Sequence, residues 1–187
     1  YTPIATVASA ALLKAWTLPT ASIISTNVKV KASGAELYQE DVSDQFEVKG
    51  NITVTYPTAA DITFTLGQNL NVTWTKAGDL GNVQVEYYDG TQWSLMTTTA
   101  PEAGPYNLVL DGTITTATNL PKVRVSDADD TTNVTDESDN AFMVKPLITV
   151  TAPTAASNWL VGSAQDITWT KKGTNINNVK IEYSADG

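Results

Sequence analysis

The chain has 187 residues, 42% of them hydrophobic and 17% charged, with a net charge of −9 and a pI near 4.3. That length allows one large domain or two small ones, and the apolar content suffices for a packed core. The lack of Cys and His removes disulfides, thiolate nucleophiles, zinc fingers and Ser-His-Asp or Cys-His catalysis; the acidic balance argues against a nucleic-acid binder; and no run approaches the roughly 20 apolar residues of a membrane helix.

The chain opens at Tyr1 with neither Met nor a leader pattern, which predicts a processed product or a segment of something longer. The Ala/Leu run Val7–Trp16 is read as loop plus strand. From residue 51 the pattern is one of short alternating strands: Ile52–Tyr56, Leu70–Thr75, Val83–Tyr87, Gln92–Thr97, Tyr106–Leu110, Lys122–Ser126 and Ala141–Lys145. Turn signals separate them, among them Lys76-Ala77-Gly78, Asp89-Gly90 and Pro101-Glu102-Ala103-Gly104-Pro105. The composition agrees, because 29 Thr and 17 Val are β-branched residues suited to a pleated surface. Period-2 placement puts Val54, Val72, Trp74, Val85, Val123, Val125 and Phe142 in the core.

The same pattern recurs along the chain. Ile52-Thr53-Val54-Thr55 returns as Ile148-Thr149-Val150-Thr151, an offset of 96 positions. Asn71-Val72-Thr73-Trp74 returns as Asp166-Ile167-Thr168-Trp169 at 95, and Asn82-Val83-Gln84-Val85-Glu86-Tyr87 as Asn178-Val179-Lys180-Ile181-Glu182-Tyr183 at 96. Upstream, Val28-Lys29-Val30 matches Val123-Arg124-Val125, and the stretch from Ser43 to Lys49 matches that from Ser138 to Lys145. The expected organisation is all-β: tandem immunoglobulin-like β-sandwich repeats of about 95 residues. Residues 1–50 are the C-terminal half of one repeat, 51–146 a complete repeat, and 147–187 the N-terminal half of the next.

Trp74 within Val72-Thr73-Trp74-Thr75, Gly67 before it, Asn82–Tyr87, Lys122-Val123-Arg124-Val125-Ser126 and Ser138-Asp139 before Phe142 form a profile. It resembles the Ser/Thr-rich, cell-wall-associated Ig-like family of fungal, bacterial and archaeal surface proteins. The resemblance implies a cell-surface or wall-associated module and supplies no catalytic residues. No enzyme activity is expected.

Three kinds of candidate site stand out. The segment Asp127–Asp139 holds five Asp and one Glu, and hard cations such as Ca²⁺ want six to eight oxygens. Asp127, Asp129, Asp130, Asp136 and Asp139 are therefore candidate calcium ligands, set against a solvated acidic loop that binds nothing; no other cofactor is expected. Sequons at Asn51, Asn71 and Asn133 are candidate N-glycosylation sites, with Asn133 in a polar loop the best placed and Asn71, inside a strand beside the core, the worst. Of the five Trp (16, 74, 93, 159 and 169), Trp74 and Trp169 are expected in cores and Trp93 is the candidate sugar platform.

The links between repeats leave two or three residues between strands, one of them Pro146, which predicts a stiff rod. The favoured reading is a structural subunit or segment of an extracellular filament, sheath or surface layer. Half-repeats would be completed by the neighbouring copy, head to tail, or the polypeptide would run on as a longer array. The alternative is a carbohydrate-binding or adhesion module of a larger cell-wall enzyme. The expected partners are copies of the chain itself and cell-wall glycans. Nucleic acid and a membrane span are not expected.

Overall fold

A computed structural model of the chain describes residues 1–21, 24–34, 39–100, 104–111, 120–174 and 176–185. Pro101–Ala103 of one expected turn, and the closing Asp186-Gly187, lie outside them. The protein is all-β, with no helix among the described residues. The first strands are β1 (Ser25–Val28), β2 (Lys31–Ser33), β3 (Glu40–Val42) and β4 (Phe46–Val48). The middle of the chain holds β5 (Asn51–Tyr56), β6 (Thr63–Thr65), β7 (Asn69–Ala77), β8 (Val83–Tyr88), β9 (Trp93–Thr99), β10 (Tyr106–Val109), β11 (Lys122–Asp127), β12 (Thr135–Glu137) and β13 (Met143–Lys145). Two more follow, β14 (Leu147–Ala152) and β15 (Thr168–Lys172).

β5 to β13 make a two-sheet sandwich. One antiparallel sheet runs β10-β7-β5 and the other β12-β11-β8-β9, while β13 pairs in parallel with β6. Alternation decides which side chains point in. On β8, Val83, Val85 and Tyr87 are buried while the residues between them are only half-buried. On β7, Leu70 and Val72 are buried between exposed Asn69 and Asn71. The inward residues of both sheets meet in one core that also takes Phe64, Leu66, Phe142 and Val144 from the parallel pair. Phe142 packs edge-on against Phe64 with ring centroids 5.4 Å apart, and lies 6.2 Å from Tyr87. All the expected core residues are buried except Trp74, which sits half-buried at the margin of the core. At the tip of the β8–β9 hairpin, Asp89 caps the turn by accepting from the hydroxyl and amide of Thr91 and the amide of Gln92. These bonds, the Thr91 hydroxyl first, hold its carboxyl below the usual value.

The Tyr87 hydroxyl is buried in this core and makes no hydrogen bond, and burial raises its pKa. An unsatisfied buried polar group costs about 1–3 kcal/mol. Tyr87→Phe is therefore expected to stabilise the protein by about 1 kcal/mol at neutral pH, read as a higher urea midpoint. The sign of the pH effect follows from the raised pKa. Because burial disfavours the ionised form, stability is unaffected by this titration below the usual value of 10.0 and falls as pH rises beyond it. The variant should lose less stability than the parent in that alkaline range.

Two strands of the complete repeat differ from the expected set of seven. β6 is a three-residue edge strand, and β12 forms inside the acidic segment. No strand forms in Val7–Trp16, where Leu12 and Leu13 lie exposed. An apolar run yields a strand only where a neighbour accepts its ladder, and none is placed there.

The flanking segments reproduce halves of the sandwich. β14 pairs with β15 as β5 pairs with β7, down to the slip after Val150 that mirrors the one after Val54. The Thr151–Thr168 hydroxyl contact of 2.7 Å copies Thr55–Thr73. β2 pairs with β3 as β11 pairs with β12, with Ser33 opposite Glu40 as Ser126 is opposite Thr135. Val30 donates its amide to Ser43 Oγ as Val123 does to Ser138 Oγ. This pairing corrects one expected match. Val30 corresponds to Val123 and Lys31 to Arg124, an offset of 93, because the β2–β3 connection is two residues shorter than the β11–β12 one.

Both flanks grip the central sandwich. Before β1, Thr20 accepts from the amide of Gly78, and Ile24 packs on the core margin. A Cβ on Gly78, whose φ is +91°, would stand 3.2 Å from both Gly50 Cα and Ile24 Cγ1, so glycine serves here for both conformation and space. Lys49 bridges Asp130 at 2.8 Å. Beyond the opposite end of β7, Leu147 packs against the core beside Gly67.

Candidate functional site

The acidic segment is a structural hairpin in which Asp127, Asp130 and Asp136 of the five candidate ligands turn to different partners. Asp127 is buried, and its Oδ1 accepts from the Asp129 amide. Asp130 takes Lys49, the amide of Asn133 and the Asn133 side chain; these bonds, Lys49 first, hold its carboxyl below the usual value. Asp136 Oδ2 accepts the Val54 amide at 2.8 Å, tying β12 of one sheet to β5 of the other. Asp129 and Asp139 are exposed. Val134 is buried between the acidic residues and pins the turn, so the segment folds back instead of wrapping a cation. Among the described residues no three acidic groups converge to hold a metal ion, and the candidate calcium ligands Asp127, Asp129, Asp130, Asp136 and Asp139 are not brought together. Melting curves with millimolar Ca²⁺ and with chelator are expected to superimpose, since a ligand raises stability only by binding the native state. A rise in midpoint with Ca²⁺ would reinstate the cation.

Trp93 is likewise engaged. The Arg124 guanidinium lies 4.2 Å from its ring centroid, the Tyr88 ring packs at 5.1 Å, and Glu86 holds Arg124 through bonds of 2.8 and 2.9 Å. This arrangement of β8, β9 and β11 stiffens the outer face of the sheet and corrects the picture of Trp93 as an open platform. The outer face of the other sheet carries an open cleft of about 650 Å³ lined by Tyr56, Phe64, Asn69, Asn71, Thr73 and Asn107. Alternation had been overlooked at Asn71: with Leu70 and Val72 buried it must face outward, and it is exposed. Asn51 is exposed at the start of β5, and Asn133 is exposed with its side-chain amide donated to Asp130.

The largest unexplained surface lies on the flanking segments. Positions that are buried in the complete repeat are bare in the partial ones. Ile52 and Val54 are 3% and 4% exposed, and their counterparts Ile148 and Val150 are 42% and 59%. Val85 and Tyr87 are 0% and 2% exposed; Ile181 and Tyr183 are 51% and 94%. Trp169, expected in a core, is exposed, and its counterpart Trp74 is itself only half-buried. Phe46, the counterpart of buried Phe142, is exposed at the other flank. No helix among the described residues is long and apolar enough to cross a membrane. No family model, curated protein or solved structure matches the chain.

Proposed function

We propose that the chain is a structural segment of an extracellular filament, sheath or surface layer, built from tandem Ig-like sandwiches and assembled head to tail. The observation that carries this reading is the bare apolar sheet face on each flank, matched position by position to a buried face of the complete repeat. Monomeric soluble proteins rarely expose such contiguous patches, and large ones mark interaction surfaces. Each end of the chain carries a half-sandwich whose missing half resembles the other end. Such a contact is heterologous and propagates instead of closing. The gripped junctions at Gly78 and at Leu147 suit a stiff rod, and the resemblance to wall-associated Ig-like modules supports a role at the cell surface. The chain's role here is mechanical, with no reaction catalysed. Electron microscopy and sedimentation across a concentration series test the proposal. Unbranched assemblies one sandwich wide are expected, growing with concentration. Monodisperse single chains at every concentration would overturn it.

A second reading, a glycan-binding adhesion module, draws on the cleft at Tyr56. Two aromatic rings beside three Asn side chains and a Thr hydroxyl are the mix that recognises neutral sugars, an apolar wall with a few placed polar groups. Chemical-shift changes at Asn71 and Asn107 on adding wall polysaccharide would favour it, and their absence would remove it.

A further inference from the structure

We infer that the cleft on the outer face of β10-β7-β5 is the seat of an N-linked sugar carried by the chain itself, with Asn71 as its anchor and Tyr56 as its platform. Such a seat needs no assembly of chains, and it puts a bound sugar where a free polysaccharide would otherwise enter. By alternation Tyr56 belongs with Ile52 and Val54 on the core side of β5. The slip after Val54 sets Tyr56 opposite Thr73 and re-aims it, so that its ring is 37% exposed and lines the cleft with Asn71. Asn107 stands directly across the ladder from Asn71, and Asn69 lies two residues along the same face of β7. The Cβ atoms of such neighbours are roughly 5–7 Å apart, so three carboxamides border one cavity. None of the three carboxamides has a hydrogen-bond partner among the described residues.

The second copy of this strand pair shows that the register does not require these groups. β14 and β15 keep the slip and the Thr151–Thr168 hydroxyl contact, yet Ala152 stands in place of Tyr56, Ala164 in place of Asn69 and Asp166 in place of Asn71. Platform, rim and anchor are lost together while the ladder stays. An aromatic face beside carboxamide donors and acceptors fits a pyranose, which has an apolar C–H face and a hydroxyl-bearing edge. The sequon makes that sugar the chain's own. Asn71-Val72-Thr73 puts the acceptor nitrogen at the wall of the cleft. The other two sequon nitrogens are engaged, Asn51 Nδ2 with Thr53 Oγ1 at 3.5 Å and Asn133 Nδ2 with Asp130 Oδ1 at 2.7 Å. The donor is a lipid-linked oligosaccharide diphosphate. Asn71 Nδ2 bonds to C1 of its first pyranose as the C1–O bond to phosphate breaks. The lipid diphosphate leaves with the electron pair, and one Nδ2 proton passes to a base of the transferase. Transfer precedes the meeting of β5 and β7, because in the folded sheet the Thr73 hydroxyl is held by Thr55 at 2.7 Å.

The chain is secreted from a eukaryotic host that transfers N-glycans and compared with the same chain from a bacterial host that does not. Asn51→Gln and Asn133→Gln are present in both, and the glycan is trimmed enzymatically to its first N-acetylglucosamine. Glycopeptide mass spectrometry should find Asn71 modified. The trimmed glycoprotein should unfold at a urea midpoint higher than that of the bare chain by roughly half a molar. Tyr56→Ala removes the platform and, in both forms alike, the edge contact with Phe64. It should leave Asn71 occupied and abolish the difference in midpoint, and Tyr56→Phe should keep that difference. An unmodified Asn71, equal midpoints, or a difference that survives Tyr56→Ala would each overturn the assignment. If the sugar on Asn71 gives no stabilisation while free wall polysaccharide shifts the Asn71 and Asn107 signals of the bare chain, the cleft belongs to the adhesion reading and this anchor falls.

Discussion

Phe142→Ala is expected to lower the stability of the central sandwich by about 3–5 kcal/mol in urea unfolding, as a large-to-small change in a closed core. The ring is 1% exposed and bridges the parallel pair β6/β13 to β8 through Phe64 and Tyr87. Both sheets therefore lose packing at one point, and neither can move in to fill the space without slipping its ladder. The equivalent change at Phe46 is the internal contrast. In dilute solution Phe46 is exposed, so Phe46→Ala should change stability within about ±0.5 kcal/mol, as surface substitutions do. Under conditions where chains associate, the same change should weaken assembly. A Phe142→Ala loss below about 1 kcal/mol would mean that the sheets are not held together at this position.

Asp136→Ala should cost about 1.5–3 kcal/mol, the range for a hydrogen bond to a charged group. Its carboxylate accepts the Val54 amide on the side of β5 that faces away from β7, so it satisfies a donor that the sheet leaves unpaired. Asp139→Ala is the matched control, since Asp139 is an exposed acid three residues along in the same segment. Its effect should stay within about ±0.5 kcal/mol. Equal losses for the two would show that only the charge of the hairpin matters and that the tie between sheets does not. Adding Ca²⁺ should leave the difference between them unchanged.

The residues that were legible from the chain alone are those whose environment is set by alternation. Val54, Val72, Val85, Val123 and Val125 occupy one face of their strands whatever the rest of the fold does, and each is buried. The repeat was legible too, because a shift near 95 brings the same side chains back in the same order. β14 and β15 copy the register of β5 and β7. The boundaries of all seven expected strands shifted by one or two residues, because a ladder ends where its neighbour does.

The acidic segment stays open between a calcium site and a solvated loop in the sequence, because composition reports the number of carboxylates and says nothing of where they point. Asp130 turns to Lys49 and Asp136 to the Val54 amide, residues far away in sequence. The offset at Lys31 had the same root: two nearly equal alternating matches exist, and only the pairing of β2 with β3 separates them. Local sequence by itself thus determined the strands, their inward faces and the period of the repeat, since those depend on neighbours one or two residues away. Tertiary structure alone decided which charges pair, that Trp93 is stacked, and that Ile181, Tyr183 and Phe46 stand bare. These depend on what lies across the sheet, and the same apolar side chain is core or open surface according to whether the opposing half is there to cover it.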